Sequence, residues 1–263
     1  MMHPLNRRFP MNRNKPSIKK ILVLIILIGV IPFSYFHSSE IYTFYMKTYY
    51  EIFSGKNLEQ LIQKGEEMYR NKDYSGLMEY LNSLATLYPD NKELKKLEGL
   101  TLIKLGQGRV GTDIILSIAK GKISPEKTLL ETVNSLYELK DYKDIILIMK
   151  KNDPGENPTL LHHYGISLAK VGNFKAALPA LNRTLAQGST DREVYRYTGM
   201  AYHKTDQTRR ALPYLKRALA MDENDSETAG SLVDAYRKLG RYKDAEKILR
   251  RMKTKNFRST TSP

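Results

Sequence analysis

A self-similar period of about 34 residues constrains this chain more than any other feature. The string LGRYKDAEKIL, which begins at Leu239, has upstream counterparts in KTDQTRRALPYL, VGNFKAALPAL and LKDYKDIILIM. Set on one register, the units begin near residues 58, 92, 126, 158, 192 and 226, at intervals of 34, 34, 32, 34 and 34. A segment that short cannot bury an apolar face alone, so units of this length are expected to stack and shelter one another.

Inside each unit the pattern is helical. The fourth and eleventh positions are mostly apolar, as in Leu61 with Met68, Leu161 with Leu168 and Tyr195 with Tyr202, which places them on one helix face. The eighth position holds Gly65, Gly99, Val133, Gly165, Gly199 and Val233, small enough for two helices to approach closely. Breakers follow at Asn71 to Asp73, Gly106 to Gly108, Lys140 to Asp141, Gly172 to Asn173, Thr205 to Asp206 and Gly240. Beyond them lies a second apolar stripe, with Ala177, Ala211 and Ala245 at position twenty and Leu81, Ile115, Met149, Leu181, Leu215 and Leu249 at position twenty-four. Pro179 and Pro213 are expected in the first turn of that second helix, where a missing N–H costs little. Pro89, Pro125 and Pro158 fall at or beside the junctions.

These helix-turn-helix units, with a small eighth and a small twentieth position, resemble the tetratricopeptide repeat (TPR) family over residues 58–257. The likeness is strongest in the last three units; Leu77, Gly111 and Ile145 at position twenty and a 32-residue third unit depart from it. The resemblance implies an all-α fold, an α-solenoid of about six units, whose first helices line a concave groove with positions two, five, nine, twelve and thirteen. Carried across, those positions offer a partner His162, Ile166, Lys170, Arg196, Met200, His203, Lys204, Asp234, Arg237 and Lys238. The early units offer a more mixed set: Glu59, Glu66, Arg70, Lys96, Leu100, Lys104, Asn134 and Tyr137. A protein or peptide with an acidic, partly apolar segment suits the later half, although the same Lys and Arg residues would also serve simply to keep the array soluble. The lysine and asparagine arrangement by which some family members grip a chaperone's terminal carboxylate is absent, since the fifth and ninth positions read His162 with Ile166 and Arg196 with Met200.

The net charge of +15 is unevenly distributed: +6 over residues 1–39, −1 over 40–157 and +10 over 158–263. Six basic residues from Arg7 to Lys20 precede an uncharged apolar run from Ile21 to Phe36, which reads as one transmembrane helix over 21–39. A cleaved signal is the competing reading, but no small-x-small site lies between Gly29 and Tyr42. The expected organisation is a basic cytoplasmic amino terminus (1–20), a signal-anchor helix (21–39), an aromatic juxtamembrane segment (40–57), the repeats (58–257) and a flexible tail (258–263). The positive-inside rule then places the repeats on the periplasmic or outer side of the membrane. The tyrosine-rich juxtamembrane segment fits an interfacial belt and equally a helix packed on the first repeat. The basic tail reads as a solvated end, anionic lipid being the weaker alternative because of that topology.

No residue pattern carries catalysis. The chain has no cysteine, which removes disulfides and thiolate chemistry. His162 and His163 are adjacent and diverge by about 100° on a helix, which is wrong for chelating one ion. GQGRVG at Gly106 sits in a turn without a preceding strand, unlike a phosphate-binding loop. The expectation is a membrane-anchored scaffold or adaptor without cofactor, metal, enzymatic activity or small-molecule substrate, acting in assembly of a bacterial envelope complex. The alternatives are a non-catalytic helper subunit of a membrane enzyme or export system, and nucleic-acid binding through the basic half, which the topology and the core roles of its aromatics oppose.

Overall fold

The computed structural model describes residues 57–85 and 87–260, with side chains through Lys253. The expected anchor and nearly all of the aromatic segment lie outside the described residues. Within them every regular element is an α-helix, and none is long and apolar enough to cross a membrane. The helices are α1 (Leu58–Arg70), α2 (Tyr74–Ala85), α3 (Lys92–Lys104), α4 (Gly108–Ile118), α5 (Glu126–Glu138), α6 (Tyr142–Met149), α7 (Pro158–Lys170), α8 (Phe174–Ala186), α9 (Arg192–Lys204), α10 (Thr208–Met221), α11 (Ser226–Lys238) and α12 (Tyr242–Thr260). They pair as hairpins, and the described residues divide into two compact units, one ending at Leu94 and one beginning at Lys95.

In the first unit α1 and α2 form one hairpin. Leu61 of α1 and Leu77, Leu81 and Leu84 of α2 are buried. The Tyr80 hydroxyl donates to the Leu61 carbonyl at 3.1 Å, and the Lys64 ammonium lies 4.5 Å from the Tyr80 ring centre.

In the second unit each later second helix packs on its own first helix and on the first helix that follows, so α7 through α12 form a continuous stack. The first helices α5, α7, α9 and α11 also touch in sequence, making a wall one helix deep. Small residues set how closely a hairpin closes. A Cβ added to Gly199 would come 2.6 Å from Leu215 Cγ and 3.0 Å from the Leu215 backbone nitrogen, and one added to Gly165 would meet the Leu181 side chain at 3.0 Å. Ala177, Ala211 and Ala245 are buried on the opposing helices.

The ends of the first helices are made alike six times. Five start on an Asn or Asp whose side chain accepts a backbone N–H of the first turn: Asn57, Asn91, Asn157, Asp191 and Asp225. All six finish in a left-handed residue, Lys72, Gly106, Lys140, Gly172, Asp206 or Gly240. The next N–H then reaches back to the carbonyl five residues earlier at 2.8–3.1 Å, as in Asn173 to Leu168 and Arg241 to Tyr236. This closure reverses the chain in two or three residues.

The two prolines depart from expectation. Pro179 and Pro213 are the sixth residues of α8 and α10 and so lie beyond the first turn, where the missing N–H removes an intrahelical bond. Both rings and the residues four earlier, Lys175 and Arg209, are exposed, so water can satisfy the freed carbonyls.

The third hairpin is the irregular one. α6 has only eight residues, and the polar side chain of Asn152 compensates. Its Oδ1 accepts the Ile123 N–H at 2.7 Å, while Nδ2 donates to Ile148 O at 2.9 Å and Gly121 O at 3.3 Å. One buried amide thereby ties the loop after α4 to the end of α6.

Candidate functional site

The wall of first helices presents the candidate residues very unequally. Ile166 is fully buried in a core cluster with Val194, Tyr197 and Leu181, so it faces the next hairpin and not a guest. Leu100 is likewise buried, and Met200 is half-buried against the apolar clusters on both sides of α9. Position nine thus points outward only in part of the array: Glu66 and Asn134 are half-buried and Asp234 is exposed.

Arg196 is enclosed by its own protein. Its Nη1 lies 3.1 Å from Glu227 Oε2 and 3.5 Å from Asp225 Oδ2. Its Nη2 lies 3.1 Å from Glu193 Oε1 and donates to the Tyr197 hydroxyl at 3.0 Å. The guanidinium also stands 4.7 Å over the Tyr197 ring. Burial would lower its pKa, but the charges of Tyr197, Glu227, Asp225 and Glu193 outweigh burial and hold it protonated. Arg196 therefore joins α9 to α11 and the cap of α11. Asp225 also pairs with Arg192 at 2.7 Å. Burial would raise its pKa, but hydrogen bonds from Thr228, assisted by Arg196 and Arg192, keep its carboxyl below the ordinary value.

Lys170 serves α7 and α9 in the same manner. Its ammonium is 3.4 Å from Glu193 Oε1 and lies 5.2 and 5.8 Å from the ring centres of Tyr197 and Tyr142. Burial opposes its charge, yet the Tyr197 hydroxyl and Glu193 raise its pKa overall. Glu193 Oε2 also accepts the Tyr137 hydroxyl at 3.4 Å, and burial, then the Glu193 charge, pushes the Tyr137 pKa up. One carboxylate thus gathers groups from α5, α7 and α9.

His162 and His163 do not converge on an ion. Their Nδ1 atoms are 3.1 Å apart, and His163 Nε2 is 3.0 Å from Asn134 Oδ1. A carbonyl oxygen accepts only, so His163 carries its proton on Nε2 and accepts from His162 through Nδ1. His163 stacks on Tyr137 with ring centres 3.9 Å apart; burial, then the neighbouring His162, lowers its pKa to about 4. His162 Nε2 lies 3.3 Å from Asp191 Oδ2, too poorly aligned for a hydrogen bond but an ion pair when the ring is charged. Beside it opens a cleft of about 590 Å³ with Thr159, Thr184, Gln187, Ser189 and Thr190 on its walls. Among the described residues no three His, Asp or Glu side chains are grouped to hold a metal ion.

The accessible remainder lies on α9 and α11, apart from Lys170, which is exposed at the end of α7. Lys204, Asp234, Arg237 and Lys238 are exposed, and His203 is half-buried. Lys238 pairs with Asp206 of the preceding hairpin. Burial, then the charges of Lys238 and Lys204, lowers the pKa of His203. In the early hairpins Glu59 and Arg70 are exposed, Arg70 lies 3.8 Å from Glu66, Lys96 is half-buried and Lys104 pairs with Glu138 at 2.8 Å. The groups that sequence reasoning missed are Glu193 and Glu227. Both occupy position two of their units, so the register that selected Glu59 also pointed to them.

Residues 202–259, from the end of α9 to α12, match a family model described as tetratricopeptide repeat. Among solved structures the chain is similar to "MamA RS-1 ArsTM double mutant", with a TM-score of 0.51 and 19% identity over 66% of this chain and 98% of that one. It is also similar to "MamA 41-end from Desulfovibrio magneticus RS-1", with a TM-score of 0.40 and 17% identity over 78% of this chain and 97% of that one. At such identity the first structure shows the fold alone: TPR-like helical hairpins. A search of curated proteins found no match.

Proposed function

We propose that the chain is a scaffold that binds other proteins through the wall formed by its first helices. The supporting observation is how the charges divide. Glu193, Asp225 and Glu227 are engaged by buried Arg196, half-buried Arg192 and Lys170 at the end of α7. The accessible side chains His203, Lys204, Arg237 and Lys238, with Asp234 the one acid among them, leave the α9–α11 surface mainly basic. Half-buried Met200 adds an apolar element. Such a surface suits an acidic, partly apolar segment of a protein partner, opposite charge raising capture rate and restricting partner choice. Ile166 and Arg196 act from within, fixing the spacing of the helices that display the rest.

The apolar run at 21–36 and its basic flank support a membrane tether with the repeats on the periplasmic or outer side, in assembly of a bacterial envelope complex or as a non-catalytic helper subunit. Photoreactive residues at His203 and Lys204, compared with Lys175 and Arg209 on the second helices, test the binding face in native membranes. Protein adducts from the first pair support the proposal, and adducts confined to the second pair overturn it. Protection of an amino-terminal tag from external protease, with digestion of the repeats in spheroplasts, tests the topology; the reverse pattern defeats it.

A further inference from the structure

The register of the repeats identifies a position whose side chain is buried in five earlier hairpins and exposed in the last described one. Position twenty-four is buried in five hairpins, as Leu81, Ile115, Met149, Leu181 and Leu215. In the last hairpin the same position is Leu249, 37% exposed, and on the same shoulder of α12 stands Tyr242, 69% exposed. Successive helical residues turn by about 100°, so Tyr242 and Leu249 lie within ~20° of each other, while Ala245 and Met252 point toward α11. In the preceding hairpin the helix α10 is covered by α11, whose Ala229, Leu232, Val233 and Tyr236 pack in one cluster with Leu212, Leu215 and Leu219. The shoulder bearing Leu249 thus corresponds to a seat that a first helix fills one repeat earlier. A purely solvated helix face would be polar there.

The charge around the shelf specifies what fits. Residues 242–263 carry seven basic and two acidic side chains. Both acids already have partners: Glu246 pairs with Arg250 at 2.7 Å and Asp244 with Arg241 at 2.6 Å. Lys243 and Lys253 flank the apolar shoulder and are exposed. Lys243 occupies position eighteen, the place at which Arg109 of α4 reaches Asp144 of the following hairpin at 2.9 Å. Among the described residues Lys143, Lys175 and Arg209 hold the same position without such a pair, so position eighteen presents a basic side chain that an acid of a neighbouring helix can meet, as Asp144 does.

The geometry points to the Tyr242–Leu249 shoulder of α12 as a docking shelf for an acidic amphipathic helix of another protein, which would add to the stack as one more first helix. Helix-in-groove recognition by apolar anchors at i, i+3, i+4 and i+7 is the mode this implies, with Lys243 and Lys253 meeting the flanking acids. The shelf is separate from the proposed binding wall, so either stands without the other.

The test titrates the full chain, in detergent, against a labelled 20-residue peptide with the spacing of Ala229, Leu232, Val233 and Tyr236 and glutamates on its flanks. Binding with Kd on the order of 10 μM is expected. Leu249→Asp should weaken it about tenfold or more, and Lys243→Glu with Lys253→Glu about fivefold with a flatter salt dependence. A lysine-flanked peptide should bind at least about tenfold more weakly. Leu249→Ala, with helicity checked by circular dichroism, separates loss of the anchor from unfolding. A photoreactive group on the peptide should crosslink to α12. Crosslinks to His203 or Lys204 instead, affinity indifferent to Leu249→Asp, or self-association of the chain that Leu249→Asp abolishes would each overturn the assignment, the last because a second copy would then be the occupant.

Discussion

Three glycines of similar appearance in the sequence have different reasons for being glycine, and the difference is measurable. At Gly199 an added methyl group would meet both the side chain and the backbone of Leu215, so the hairpin must open. Overpacking costs about 1–3 kcal/mol, against which alanine regains roughly 1 kcal/mol of helix propensity. Gly199→Ala should therefore destabilise by about 1 kcal/mol. At Gly165 the contacts begin at 3.0 Å on Leu181, and the two effects nearly cancel. Gly230 meets nothing within 4 Å, so Gly230→Ala should stabilise by about 1 kcal/mol. Urea denaturation of the three variants should rank them in that order. His163 supplies a pH effect of definite sign. Its folded pKa of about 4 lies below the ordinary 6.5, so the unfolded chain binds more protons between those values. The stability tied to the neutral ring is whole above pH 6.5 and drains as pH falls toward 4, by at most ~3 kcal/mol and less because the ring is partly accessible to water. His163→Phe keeps a ring against Tyr137 without titrating, so its midpoint denaturant concentration should fall less steeply from pH 7 to 4.5 than that of the unchanged protein.

At the scale of the element, the joints of the hairpins test what their residues contribute. Lys140 ends α5 in the left-handed region with φ 59°, where Gly106, Gly172 and Gly240 do the same work without a side chain. A left-handed L-residue costs about 1–2 kcal/mol, and glycine's extra freedom in the unfolded chain returns part of that. Lys140→Gly should stabilise by about 0.5–1 kcal/mol in thermal unfolding, and Lys140→Ala should not. Asn152→Ala should cost about 2 kcal/mol, because it leaves the Ile123 N–H and the Gly121 carbonyl without this amide, while the Ile148 carbonyl keeps the backbone N–H groups of Lys151 and Asn152. The helical hairpins were legible because the period, the small eighth position and the breakers all fall on one register. The breakers located all six joints, but the left-handed backbone of three was not legible, since Lys72, Lys140 and Asp206 carry no glycine to announce it. Pro179 and Pro213 were misplaced for a related reason: the breaker fixes where a turn is, while the number of residues from turn to ring, five, is set by a helix that starts at once after the turn. The wall of first helices was legible as a set of positions, but burial was not. Ile166 and Arg196 occupy face positions by count and are withdrawn by contacts with α9 and α11 that only packing reveals.

At the scale of the whole array, neighbour contacts decide how far a local change travels. Stability in stacked repeats is close to a sum of each hairpin's own stability and its interfaces with the two beside it. Arg196 sits in one such interface, binding α9 to α11 through Glu227 and Asp225, and touches Glu193, which extends the link to Lys170 and Tyr137. Removing it leaves three carboxylates, two of them half-buried or deeper, facing one another with Arg192 and Lys170 as the remaining cations. Breaking a buried pair from one side costs about 3–5 kcal/mol, and the residual exposure of Glu193 and Glu227 places Arg196→Ala at or below the lower end. A globular core would spread that loss over every element. Here hydrogen exchange should rise in α9 through α12, to a smaller degree in α7 and α8, and remain unchanged in α4 and α6, whose ties run through Arg109 and Asp144 instead. Mass spectrometry of pulse-labelled protein resolves these segments, and uniform acceleration across α4 to α12 would show the second unit to unfold as one cooperative body. The same chain of neighbours gives α12 its mechanical meaning: among the described residues it has a hairpin on one side only, so a guest helix seated beside Leu249 would slow exchange first in α12, then in α11, and with diminishing effect toward α9.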